Sequence, residues 1–209
     1  MNDGELLMKL RLTINVPNWL DKICAWPVLV YRQRKFGYPF RRIPLTEGKF
    51  TIVDPQDFYH LNNFDWVADG KGDNIYAVRH LLSADEKANT VRMHRYIMRA
   101  PVGLLVDHRN NNGLDNRRAN LRLATNSQNN CNSRKRKNTS SRFIGVHFDK
   151  RKSMWPVYIR HHGKRTWLGC FDNELDAARA YDRAAREYHK EFARLNFPNE
   201  QSTLLSTND

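Results

Sequence analysis

The chain has 209 residues, 40% of them hydrophobic, and its 35 lysines and arginines against 22 aspartates and glutamates give a formal net charge of +13. It has no apolar run of about eighteen residues, which excludes a membrane-spanning helix, and its acidic start argues against a secretory signal. Three widely separated cysteines, Cys24, Cys131 and Cys170, exclude a paired-cysteine zinc ribbon and fit free thiols in a reducing compartment.

The charge is unevenly placed. Residues 1–90 hold 12 basic and 11 acidic residues, whereas residues 91–209 hold 23 and 11. An excess confined to one part of a chain points to a polyanion, here nucleic acid, as the partner of that part. A membrane surface is the weaker alternative, because no basic amphipathic helix with a broad apolar face stands out.

Taken in order, residues 1–42 mix aromatic clusters with charge ("NWLDKICAWPVLVYRQRKFGYPF") and support one or two helical turns with no assigned role. "GKFTIVD" alternates apolar and polar residues and reads as a strand. "DPQDFYHLNNFDWVAD" follows as a helix start, with Asp54 as N-cap and Pro55 at the first helical position. "NIYAVRHLL" reads as a strand, "TVRMHRYIM" as a strand passing into a helix, and "PVGLLVDH" as a strand ending on Asp107 and His108. His94 and Arg95 are candidates for a phosphate contact or a brace, or are simply packed between helix and sheet.

The next segment, "RNNNGLDNRRANLRLATNSQNN", reads as loop, strand and helix start. Asparagine and aspartate brace turns with their side chains, and Gly113 permits a positive φ. The returning helix comes back beside Asp107 and His108. A carboxylate oxygen from Asp107 and an amide oxygen from Asn129 suit a hard Mg²⁺ ion that keeps waters and takes phosphate oxygens. A neutral His108 is a candidate base for an attacking water. The plain alternative is a structural turn.

His108, Asn120 and Asn129 stand twelve and nine residues apart, with "DH" at the front and "NLR" around the middle member. This spacing resembles the HNH nucleases with a ββα-metal (His-Me) finger, especially the homing-endonuclease-like branch that ends in asparagine. The resemblance covers about residues 43–132. It implies that Asp107 and Asn129 hold one catalytic divalent metal, that His108 is the general base, and that Asn120 fixes the loop.

Residues 133–141 ("SRKRKNTSS") read as a basic linker that tracks a phosphate backbone or simply tethers. Beyond it, "RFIGVHFD", "MWPVYIRHH" and "KRTWLGCFD" are three β-rich runs, expected to form a three-stranded antiparallel meander. In "PVYIRHH", Tyr158, Arg160 and His162 alternate with Val157 and Ile159, predicting one basic face and one core face. Trp155 is a candidate for the core. "NELDAARAYDRAAREYHKEF" is a helix capped by Asn173, with small alanines on the side toward the sheet. Arg142, His147, Arg160, Arg165 and Trp167 are candidate DNA contacts, since a β-ribbon fits the major groove, where arginine forks read guanine.

"FIGVHFD…WPVYIR…KRTWLGCFDNELDAARAYDRAAREYHKEFARLNFP" resembles the AP2/ERF DNA-binding domain. The resemblance implies a sheet in the major groove read out through Arg160, Arg165 and Trp167. Two usual arginines of the first strand are replaced by Ile144 and His147, and a usual acid by Tyr158, so no target sequence carries over.

The expected whole is an α+β chain. A ββα-metal HNH nuclease module (43–132) and a linker (133–141) precede an AP2/ERF-type three-stranded sheet on one helix (142–198) and a tail (199–209). The expected function is a metal-dependent, homing-endonuclease-like DNA endonuclease using Mg²⁺ and double-stranded DNA, with no membrane or protein partner. It is expected to be cytoplasmic and nucleoid-associated, encoded by a bacterium or a phage, with a mobile element as a plausible origin. The competing reading is a catalytically inactive DNA-binding regulator.

Overall fold

The computed structural model describes residues 17–81, 89–135, 139–161 and 163–200. Parts of five expectations lie outside these residues: 1–16 of the opening segment, 82–88 of the nuclease module (with Leu82, the end of the expected strand "NIYAVRHLL"), 136–138 of the basic linker, His162, and 201–209 of the tail. Among the described residues no helix is long and apolar enough to cross a membrane.

The opening segment forms a longer helix than its sequence suggests, α1 (Asn18–Phe36), closed by Gly37 at φ 82°. None of its residues is buried. Asp21 and Arg32 tie one side to the body, through Arg41 (3.0 Å) and the Phe40 carbonyl (2.5 Å). Trp19, Ile23 and Trp26, at helical spacing on the opposite side, are each more than 60% exposed.

Strands β1 (Arg41–Pro44) and β2 (Phe50–Val53) form a hairpin. Helix α2 (Pro55–Leu61) starts where expected, with Asp54 at the N-cap position and Pro55 first in the helix, but the Asp54 side chain does not bond the helix amides. Its carboxylate instead accepts from the Arg118 amide (2.8 Å), tying the helix start to a loop distant in sequence. The run after Leu61 turns out of the helix and, from Val67 to Lys71, forms β3. That strand pairs with β4 (Asn74–Leu81), which pairs in turn with β5 (Asn89–Arg92). Helix α3 (Met93–Met98) follows directly.

Strands β6 (Leu105–His108) and β7 (Leu121–Ala124) are antiparallel, with Asp107 opposite Arg122 and His108 opposite Leu121. Helix α4 (Asn126–Cys131) begins in a capping box in which Thr125 and Gln128 satisfy each other's amides. Val53, Leu61, Met93 and Leu121, all nearly inaccessible, form the core beneath these elements. Each contributes about 1.5–3 kcal/mol by burial.

A second core joins Val146, Val157 and Ile159 to the alanines of α5 (Glu174–His189), whose cap is Asn173. The expected three-stranded meander is a two-stranded ladder here, β8 (Trp155–His161) with β9 (Lys164–Phe171). The run "RFIGVHFD" joins it only by isolated bridges, Val146 to Val157 and Asp149 to Met154. Side chains capture its amides: Ile144 N–H donates to Asn196 Oδ1 (2.7 Å) and Phe148 N–H to Ser140 Oγ (2.9 Å). Gly145 adds a left-handed kink at φ 75°, where an added Cβ would lie 2.0 Å from the Tyr181 ring. Amides bonded this way cannot join a ladder. Val157 and Ile159 face inward while Arg160 is exposed, and Trp155 is partly buried against the core.

Candidate active site

The loop between β6 and β7 is rigid because its polar side chains bond to one another. Asn110 Oδ1 accepts from the Asn112 amide (2.9 Å), and Asn112 Oδ1 accepts from the Leu114 amide (3.0 Å). These are turns in which a side chain imitates backbone. The left-handed residue is Asn111, at φ 58°, rather than Gly113. Glycine is needed at 113 for space: an added Cβ would lie 2.3 Å from the Ile75 carbonyl and 2.7 Å from the Tyr76 ring.

Asn120 binds the two ends of this loop together. Its side chain accepts from the Asn110 amide (3.0 Å) and donates to Asn110 Oδ1 (2.9 Å) and the Asp115 carbonyl (2.8 Å). Asp115, 2% exposed, holds Arg117 by two bonds of 2.6 and 2.7 Å. Strand β2 pins the far side, since Ile52 N–H donates to the Leu114 carbonyl (2.9 Å) and Asn116 N–H to the Ile52 carbonyl (2.8 Å).

The side chain that touches His108 is Asn116. Thr51 Oγ donates to the Leu114 carbonyl (2.8 Å) and accepts from Asn116 Nδ2 (2.8 Å), which turns Asn116 Oδ1 toward the imidazole. His108 Nε2 therefore donates to Oδ1 across 3.2 Å, and the lone pair falls on Nδ1. Burial pushes the His108 pKa below its ordinary 6.5, opposed by the Asn116 bond and the charges of Asp107 and Asp115. The ring is neutral at pH 7 and fixed in one tautomer.

Asp107 is equally constrained. Its Oδ2 accepts from Arg122 Nε (2.8 Å) and Nη2 (2.6 Å), and Asn132 Nδ2 lies 3.0 Å from Oδ1 and 3.1 Å from Oδ2. The Asn132 amide also reaches the His108 carbonyl (3.0 Å), joining the end of α4 to the end of β6.

Asp107, His108 and Asn129 line one cleft of about 500 Å³, walled by Tyr76 on β4 and edged by Arg134 and Lys135. The neighbouring Asn130 is exposed. Among the described residues no group of three or more His, Cys, Asp or Glu side chains is placed to hold a metal. A zinc-type cage is therefore absent there. One carboxylate and one amide fit a hard dication that takes its other oxygens from water and phosphate.

His94 stands behind the cleft, 5% exposed and edge-on to His108 at 5.0 Å between ring centres. Burial, with the nearby His108, Arg92 and Arg95, holds its pKa down to about 3. Its Nδ1 finds no hydrogen-bond partner among the described residues. Arg95 donates to the carbonyls of Leu104, Ala100 and Pro101 and so braces the turn between α3 and β6.

The outer face of β8 and β9 gathers the other candidates. Arg160 lies opposite Arg165, and Tyr158 opposite Trp167. Tyr158 sits between Trp167 (4.7 Å) and His147 (6.1 Å, nearly parallel), with the Arg165 guanidinium 3.6 Å from its ring centre. Trp167 is half exposed. Arg142 is elsewhere: its guanidinium lies 3.6 Å from Glu174 at the start of α5.

Asn116, Arg122 and Asn132 were not singled out by the sequence. For Arg122 a signal was present: antiparallel pairing across the loop puts it opposite Asp107. Nothing in the sequence distinguishes Asn116 or Asn132 from their asparagine neighbours.

A family model described as HNH endonuclease matches residues 94–131, from α3 to the end of α4. Among known proteins, APETALA2-like protein 2 of Oryza sativa is 45% identical over 58 residues, which are 28% of this chain and 13% of the relative. Ethylene-responsive transcription factor 3 of Nicotiana tabacum is 48% identical over 62 residues, 27% of this chain and 26% of the relative. Dehydration-responsive element-binding protein 2A of Arabidopsis thaliana is 40% identical over 55 residues, 25% and 16% respectively. The chain thus spans no more than about a quarter of the length of these relatives. No solved structure matches. The chain thus joins a segment similar to the HNH endonuclease model to a segment similar to these AP2-type relatives.

Proposed function

We propose that this protein is a metal-dependent DNA endonuclease in which a ββα-metal unit, β6, β7 and α4, cuts, and an AP2-type sheet, β8 and β9, reads. The observation that supports it best is that Asp107, His108 and Asn129 line one cleft edged by Arg134 and Lys135.

His108 takes the proton from the attacking water at Nδ1, since Nε2 is committed to Asn116. Burial favours the unprotonated ring, against the opposing charges of Asp107 and Asp115. Asp107 and Asn129 hold the divalent ion, probed first as Mg²⁺, which when bound stabilises charge on the scissile phosphate and the departing oxygen. Arg134 and Lys135 place phosphates at the cleft edge. Asn120 and Asn116 act on the loop and on the imidazole, not on substrate.

On the reading side, Arg160, Arg165 and Trp167 face double-stranded DNA from the exposed side of the ribbon. Stacking on Tyr158 preorganises Arg165. Tyr158 and His147 make this face more aromatic than the usual AP2 pattern, so its preferred site differs from those of plant factors. Homing-like activity in a phage or other mobile element is the biological setting that fits a cutting unit fused to a reading unit.

The test is conversion of supercoiled plasmid. Relaxed or linear DNA is expected with Mg²⁺ and the unaltered chain, and none with a chelator or with Asp107→Ala. Gel-shift binding by Asp107→Ala is expected to persist. Binding without cleavage by the unaltered chain across Mg²⁺, Mn²⁺ and Ca²⁺ would favour the inactive regulator instead.

A further inference from the structure

Asp107 owes its position to Arg122, and Arg122 owes its position to the far end of the chain. The turn Lys190–Phe192, which follows α5, lies against α4 and meets β7 at Arg122. Phe192, 7% exposed, puts its ring centre 3.9 Å from the Arg122 guanidinium. The Glu191 carbonyl accepts from Arg122 Nη1, and the Glu191 carboxylate lies 3.4 Å from Arg109. Arg122 is therefore held by three neighbours, the Asp107 carboxylate, the Glu191 carbonyl and the Phe192 ring face. Its own exposure is 7%.

The same turn is fastened to the reading face. His189, the last residue of α5, bonds through Nε2 to the Arg160 carbonyl (3.0 Å). Lys190 then leaves the helix at φ 51°, ψ −126°, a conformation an L-residue takes only when its surroundings impose it. An unbroken series of contacts runs from Arg160 through His189 and Phe192 to Arg122 and Asp107.

We infer that the C-terminal unit completes the cutting site: Phe192 and the Glu191 carbonyl orient Arg122, Arg122 orients Asp107, and Phe192 is a positioning residue for a cation it never touches. The inference rests on the reading of Asp107 as a metal-holding carboxylate. Groups that hold a ligating carboxylate from behind commonly tune metal affinity. Arg122 occupies Oδ2 with both of its contacts. Among the described residues Oδ1 receives only the Asn132 amide, which makes it the oxygen left for a cation. Release of Arg122 frees the carboxylate to rotate, which weakens binding.

The experiment titrates Mn²⁺ into the full chain without DNA, reading free ion by electron paramagnetic resonance, beside gel-shift affinity for a fixed duplex. Phe192→Leu, which keeps apolar volume but removes the ring face, is expected to weaken Mn²⁺ binding about three- to tenfold, and Arg122→Lys about 10–100-fold. Phe192→Trp is expected to restore wild-type affinity, and duplex binding is expected to change less than twofold in all three. In the metal-free protein, the Arg122 Nε–H proton is expected to exchange slowly in the wild type and rapidly in Phe192→Leu. Unchanged or tighter Mn²⁺ binding by Phe192→Leu would overturn the inference, the latter by making Arg122 a competitor of the cation. If the unaltered chain binds no Mn²⁺, the endonuclease reading falls and the positioning role with it. Exchange of the Arg122 proton then still shows whether the contact is real.

Discussion

Between β6 and β7 the polar side chains are bonded to one another or to backbone, and the innermost of them are buried. Asp115, Asn116 and Asn120 are at most 6% exposed, and each has at least two hydrogen-bond contacts. On the outer face of β8 and β9 the cations and aromatics are open to solvent, and contact there is by stacking rather than by bonding networks. The first arrangement fixes atoms to within a fraction of an ångström, which acid–base chemistry needs. The second leaves donors uncommitted, as reading a groove requires. Changes in the loop should therefore be felt in stability first, and changes on the sheet face in binding alone.

Asp115→Ala should break that contrast most severely, since it strands Arg117 beneath the loop. Burial alone would lower the Arg117 pKa, but the hydrogen bonds and charge of Asp115 raise it, so the pair is coupled. A loss of about 3–5 kcal/mol is expected in chemical denaturation. A loss under 1 kcal/mol would show that the network is not a structural unit. Asn116→Ala leaves Thr51 and His108 short of partners and should cost about 1–3 kcal/mol. It should also cut the rate of DNA cleavage about 10–100-fold through the misplaced imidazole. Equal cleavage at equal occupancy would remove Asn116 from the mechanism.

On the sheet, Arg165→Ala should leave stability within about 0.5 kcal/mol and cost about 1–3 kcal/mol of preference between duplexes. Equal weakening on all duplexes would make it a phosphate contact. Acid sharpens the comparison last. His94 has a folded pKa near 3 against an ordinary 6.5, so the unfolded chain binds the extra proton between those values. Thermal stability should fall as pH drops from about 6.5 toward 3, and His94→Gln should flatten that slope. An unchanged slope would assign the acid loss to other groups.

Local patterns made much of this legible. Alternation found β2 and the two faces of β8, β-rich runs between turns found β4 and β9, and Asn173 and the alanine spacing found α5 with its cap. Helix α1 stayed hidden because it has no buried face, so its apolar residues show no period tied to a core. The run "RFIGVHFD" had the composition of a strand, but side chains outside it, the distant Asn196 and the nearby Ser140, took its amides. Sequence spacing picked out Asp107, His108 and Asn129, which line one cleft. It did not show that Asn116 touches the histidine, nor that Arg122 ties the carboxylate to Phe192, because both depend on segments distant in the chain.

On the proposed function, His108 removes a proton while Asp107 and Asn129 hold the cation beside it, and this role of His108 can be measured. It is tested most directly by the single-turnover cleavage rate of His108→Ala against the unaltered chain, at equal DNA occupancy and saturating Mg²⁺. A fall of about 10²–10⁴-fold with unchanged binding is the predicted result. Equal rates for the two proteins would contradict the account.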